Sequence, residues 1–219
     1  MKLLPRLLLT AALAAAGAAA GTTARAQIIF TDAFTSGASP SWGNEVGGWS
    51  AAGGVYDAQF PNNSPITYSS LPFSLQDFSV ELDINNVQDG GLWLRSSDNQ
   101  NGVLLVTGAS GGDLYWHVIS GGVVGPVQNR ADNIFTPGVS DPHLRVVAQG
   151  STYSVFVDGA LTPATTLTDA TFTSGKVALY DFSNQTFDNV TVAVPEPADY
   201  AAAAGLALAA FGAWRRCLR

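Results

Sequence analysis

A single all-β sandwich or barrel, set between two apolar termini, is the fold this chain predicts. Period-two alternation recurs along residues 27–193 and turn-forming clusters punctuate it about every 8–12 residues. No stretch there holds a sustained apolar period of about 3.6 residues, so helices are not expected in that segment.

The clearest strand is 78–84, where Phe78, Val80, Leu82 and Ile84 interleave with Ser79, Glu81 and Asp83. One face of it must look into a core and the other outward. Tyr153, Val155 and Val157 repeat the pattern with Ser154 and Asp158 opposite. Shorter runs follow it at 28–30, 54–56, 92–95, 103–106, 114–119, 144–147, 177–180 and 187–192. Between them lie Asp89-Gly90-Gly91, Asn99-Gln100-Asn101-Gly102, Gly111-Gly112-Asp113, Gly121-Gly122 and Asp158-Gly159, residues that supply positive φ or Asx-turn bonds at low steric cost. About ten to thirteen strands are expected on this spacing.

Residues 27–193 amount to one domain's worth of chain, long enough to bury about 70% of its unfolded surface. Cys217, the chain's one cysteine, lies outside that segment, so disulfides and thiolate metal sites are excluded there. The segment holds 15 Asp or Glu against Arg95, Arg130, Arg145 and Lys176, a net charge of −11. Such a surface repels nucleic acid and anionic lipid.

The termini read as addresses. Lys2 and Arg6 precede an apolar stretch at 7–20, and Ala24-Arg25-Ala26 is an A-x-A cleavage site: residues 1–26 form a secretory signal peptide for the general secretory machinery. At the other end Val194, Pro195, Glu196 and Pro197 precede an apolar helix at 200–214 and a basic tail at 215–219 with Arg215 and Arg216. Fifteen helical residues span roughly 22 Å, a short transmembrane helix against a hydrocarbon core of about 30 Å, with the arginines held in the cytoplasm. This order of parts resembles the PEP-CTERM sorting tail of Gram-negative bacteria. The resemblance implies exosortase as a partner, transient anchoring in the inner membrane, cleavage near the Pro-Glu-Pro box, and a final place at the cell surface or outside the cell.

The domain's own wording resembles the concanavalin A-like (laminin G-like) jelly-roll sandwich. The matching pieces are Phe30-Thr31-Asp32-Ala33-Phe34, Gly47-Gly48-Trp49, Gly53-Gly54-Val55-Tyr56, Gly91-Leu92-Trp93-Leu94-Arg95, Tyr153 to Gly159, and Phe187-Asp188-Asn189-Val190. The resemblance implies that first and last strands lie side by side and leaves activity open. Related sandwiches hold one structural Ca²⁺ near the terminal strands, which makes Asp32 and Asp188 candidate ligands; no other cofactor is expected.

Glu81-Leu82-Asp83-Ile84-Asn85 resembles the E-x-D-x-E strand of family 16 glycoside hydrolases. Retention needs two carboxyl groups about 5–5.5 Å apart, close to the spacing of same-face strand neighbours. Asn85 stands where the acid/base belongs and cannot exchange a proton at neutral pH, so no catalytic residue is assigned. His117 and His143 come with no G-x-S-x-G elbow.

Polysaccharide binding is the function expected instead. If Leu92 and Leu94 face the core, Trp93 and Arg95 face outward; if Leu114, Trp116 and Val118 face inward, Tyr115 and His117 lie outward. With Glu81 and Asp83 these would make an aromatic and charged sugar platform. The competing reading packs the same aromatics into the core. Trp42 and Trp49 are either loop anchors or ligand contacts. The sequence therefore describes an exported matrix or surface protein, with a divergent glycan-active enzyme and a ligand-free structural protein as rivals.

Overall fold

A computed structural model describes residues 26–63, 67–108 and 111–195. The signal peptide apart from Ala26, Glu196 and Pro197 of the sorting box, the apolar segment 200–214, Arg215 and Arg216 with the rest of the tail 215–219 lie outside the described residues.

Two sheets account for the sixteen strands among the described residues. Sheet 1 holds β1 (Ala26–Asp32), β3 (Trp49–Ala52), β4 (Val55–Ala58), β6 (Phe78–Asn85), β12 (His143–Gln149), β13 (Thr152–Val157), β14 (Thr165–Thr168) and β16 (Thr186–Pro195). Its order is β14-β13-β12-β6-β16-β4-β3, with β1 also on β16. Sheet 2 holds β2 (Gly43–Val46), β5 (Tyr68–Ser70), β7 (Gly90–Asp98), β8 (Asn101–Gly108), β9 (Asp113–Ser120), β10 (Val123–Val124), β11 (Gln128–Ala131) and β15 (Lys176–Asp181). Its order is β10-β9-β8-β7-β15-β5-β2, with β11 also on β9. First and last strands are neighbours, as the family resemblance implied.

Alternation decides what each sheet buries. Val80, Leu82 and Ile84 of β6 meet Leu92 and Leu94 of β7, Val103 and Leu105 of β8, and Leu114 and Trp116 of β9 in one continuous core. An aromatic group occupies it. Tyr56 stacks on Phe34 at 5.0 Å and 10° and lies 5.4 Å from Trp42 and 5.2 Å from Trp49, and Trp49 continues to Phe187 at 5.9 Å. Trp42 and Trp49 are thus core residues. Their indole N–H groups are satisfied inside, by Asp32 Oδ2 and by the Val46 carbonyl.

Two local expectations need correction. Gly90 and Gly91 begin β7 instead of forming a turn. A Cβ on Gly91 would stand 2.1 Å from the Leu105 carbonyl oxygen, so glycine is there for close approach of the β8 backbone. Six strands (β2, β3, β5, β10, β11 and β14) had no alternating signature, because each has four residues or fewer. Partners supply their stability, as β14 shows by pairing β13 over four residues.

Candidate functional site

Sheet 2 is apolar on both faces. Where Leu92, Leu105, Trp116 and Leu179 point into the sandwich, their strand neighbours Trp93, Leu104, Ile119, Ala178 and Tyr180 form a second cluster with Tyr68 and Val106. By the two-residue period these project from the opposite, outer face. Val46 and Tyr115 pack against them. Beside the cluster Glu45 accepts from the Ser70 amide at 3.1 Å and lies 3.7 Å from Lys176 Nζ, and within it the fully buried Tyr68 OH meets the buried Ser96 Oγ at 2.7 Å.

The aromatic face opens toward β9. Tyr115 and His117 are half-buried there, ring centroids 5.4 Å apart and nearly perpendicular. The Arg130 guanidinium lies 5.7 Å from the Tyr115 ring centroid. Arg130 is aimed by bonds to Asp113 and Asp132, the latter at 2.8 Å. Asp113 is held below the usual carboxylate range, first by the Asn133 amide N–H and also by Arg130, against the opposing effect of burial. His117 Nδ1 sits 2.7 Å from the Gly125 carbonyl, which fixes that ring, since a carbonyl can only accept. The edge therefore offers two ring faces, one of them a fixed imidazole, and one cation, a set suited to sugar C–H faces and hydroxyls.

The expected platform of six residues is not assembled. Tyr115 and His117 do project together from the outer face of sheet 2. Trp93 shares that face but is fully buried in the second cluster, because the face is apolar around it. Arg95 is 2% exposed and points the other way: its φ of 48° and the register shift after Leu94 mark a bulge that turns its side chain toward the sandwich interior. Glu81 and Asp83 belong to sheet 1, on the face opposite Val80 and Leu82. There His143 Nδ1 meets Asp83 Oδ1 at 2.7 Å, His143 Nε2 lies 3.6 Å from Glu81 Oε2, and Asn189 donates to Asp83 Oδ2 at 2.7 Å. Asn85 donates to the Thr186 hydroxyl at 3.2 Å.

Nor do the two calcium candidates assemble a donor set. Asp32 spends both oxygens on a turn, accepting from the Phe34 amide, the Ser39 amide and Trp42 Nε1. Asp188 accepts from the amide of its neighbour Asn189. Among the described residues no three His, Cys, Asp or Glu side chains gather to hold a metal ion.

Arg130 and the second apolar cluster escaped the sequence reading. The cluster's signal was apolar residues at both parities of β7 to β9, which marks a strand buried on both faces, whereas Arg130 lies on β11, whose sequence Gln-Asn-Arg-Ala carries no such pattern.

No known protein-family model matches the chain, nor does any curated protein sequence. Solved structures do. The chain is similar to the carbohydrate binding module CBM66 from Bacillus subtilis at 20% identity, covering 71% of this chain and 92% of that one, with a TM-score of 0.55. It is similar to a protein of unknown function with a galectin-like fold from Bacillus subtilis at 10% identity, covering 78% of this chain and 100% of that one, with a TM-score of 0.58. A third is the GH43 protein BlXynB from Bacillus licheniformis, at 11% identity and a TM-score of 0.60. The match takes 75% of this chain but spans only 39% of the GH43 protein. At such identities the likeness shows the fold, an all-β sandwich of the kind found in galectin-like and carbohydrate-binding proteins.

Proposed function

We propose that this protein is an exported, exosortase-sorted surface or matrix protein whose jelly-roll domain binds polysaccharide on the outer face of sheet 2, at Tyr115 of β9. The observation that carries the reading is the half-open aromatic edge of Tyr115, His117 and Arg130 on a sheet face that takes no part in the main core. Aromatic faces with fixed polar groups are what sugar recognition requires. The likeness to a carbohydrate binding module and to a galectin-like fold supports it.

In this reading the domain binds and does not hydrolyse. Glu81, Asp83 and His143 are tied to one another on sheet 1, and Asn85 leaves the strand without a third acid. The rest of the proposal is topological: the general secretory machinery exports the chain, residues 200–214 hold it in the inner membrane, and exosortase acts near Val194, Pro195, Glu196 and Pro197. The net charge of −11 on residues 27–193 leaves nucleic acid out of the partners.

Pull-down of the protein on insoluble polysaccharides, with Tyr115→Ala and His117→Ala alongside, tests the binding reading. Retention by at least one polysaccharide, weakened about tenfold in either variant, is expected. Retention equal in wild type and both variants would move the site elsewhere, and no retention on any polysaccharide favours the purely structural protein.

A further inference from the structure

A second opening lies away from the Tyr115 edge, among loops at one end of the sandwich. It is a cavity of about 280 Å³ lined by Asp77, Arg95, Ser151, Ala170 and Thr173, among others. Drug-sized ligands occupy about 300–1,000 Å³, so this space suits one sugar ring rather than a chain.

Its floor is a buried cation. Arg95 donates from Nε to the Gln76 carbonyl at 2.8 Å, and from Nη1 to the carbonyls of Gly150 at 2.7 Å and Phe172 at 3.1 Å and to Tyr153 OH at 3.2 Å. Those contacts lock the guanidinium plane. Nη2 is left with one long contact, 3.4 Å to Asp77 Oδ1. Asp77 Oδ1 is already engaged by the Gly150 amide at 2.9 Å, and Oδ2 has no partner among the described residues. A donor with spare capacity thus sits beside a spare acceptor, on a residue held at positive φ. Strain of this kind persists only where its surroundings enforce it, and it clusters at ligand sites.

We infer that this cavity is a chain-end site for a single neutral sugar ring, held by two adjacent hydroxyls. One hydroxyl donates to Asp77 Oδ2 and its neighbour accepts from Arg95 Nη2, a pairing that one planar cation and one carboxylate make well. Asp77 already offsets the charge of Arg95, so a sugar carboxylate gains no net cation there. Ala170 and Thr173, both exposed at the rim, supply apolar contact for ring C–H groups. The ligand chemistry rests on the glycan-binding reading, but the location does not.

The test uses full-length protein titrated with methyl hexosides, followed by saturation-transfer NMR and calorimetry. At least one neutral methyl hexoside should bind, and Ala170→Trp, which fills the rim from an exposed position, should weaken it at least tenfold. Asp77→Ser should do the same. Absence of hexoside binding, indifference to Ala170→Trp, or methyl glucuronide binding as tightly as the neutral sugars would overturn the inference. Polysaccharide retention that depends on Tyr115 without hexoside binding sinks the cavity and spares the edge; the converse spares the cavity alone.

Discussion

Trp93 and Trp116 pose one question in two settings. Both are fully buried, but Trp116 Nε1 donates to the Thr165 hydroxyl at 3.3 Å whereas Trp93 Nε1 has no partner among the described residues. An orphaned buried donor carries a penalty of about 1–3 kcal/mol, similar to the loss from shrinking an indole to a phenyl ring. Trp93→Phe should therefore change stability by less than about 1 kcal/mol, and Trp116→Phe should lower it by about 2–3 kcal/mol, measured by urea unfolding. Asp181 is a second residue whose environment speaks. It is fully buried, one oxygen accepts from the Ser183 amide, the other has no partner among the described residues, and burial pushes its pKa up to about 7. Burial likewise raises Asp89 to about 6. With folded values above unfolded ones near 3.9, the folded state binds more protons between about pH 4 and 7. Stability is thus greatest at the acid side of that window and falls as pH rises toward 7. Unfolding midpoints should be higher at pH 5 than at pH 8, and Asp181→Asn should flatten that slope. A midpoint that rises from pH 5 to 8 contradicts the assignment.

At the scale of elements, the long strands were legible and the short ones were not. β6 could be read from Phe78, Val80, Leu82 and Ile84 alone, because one face is core and the other is Glu81 and Asp83. β11, with the sequence Gln-Asn-Arg-Ala, carries no such contrast and exists because β9 pairs with it. The candidate site was half legible for the same reason. Parity put Tyr115 and His117 on the right face, but parity does not reveal that Trp93 is covered, that a bulge turns Arg95 inward, or that β6 and β9 lie in different sheets. Backbone crowding fixes other positions. A Cβ on Gly112, held at φ +66°, would stand 1.9 Å from the Phe135 carbonyl oxygen. Gly112→Ala should lower stability by about 3 kcal/mol through overpacking and strain, read from chemical denaturation. A change under about 1 kcal/mol would mean that the loop gives way.

For the whole molecule, β1 begins at Ala26 and β16 ends at Pro195, so the last residue of the expected signal peptide and the first two of the expected sorting box lie in strands. Removal of residues 1–26 would shorten β1 by one residue, and cleavage near Pro195 would fall at the end of β16. Mass spectrometry of the protein from its producing cell should find Gln27 at the N-terminus and a C-terminus near the Pro-Glu-Pro box; intact ends at Met1 and Arg219 would contradict the export account.

Binding is the centre of that account, and affinity electrophoresis addresses it most directly. Run through native gels that contain the producing strain's exopolysaccharide, the protein should migrate more slowly than in plain gels, and Tyr115→Ala should restore its mobility. Equal mobility of the wild-type protein with and without polysaccharide would contradict the claim that this sandwich is a glycan-binding domain.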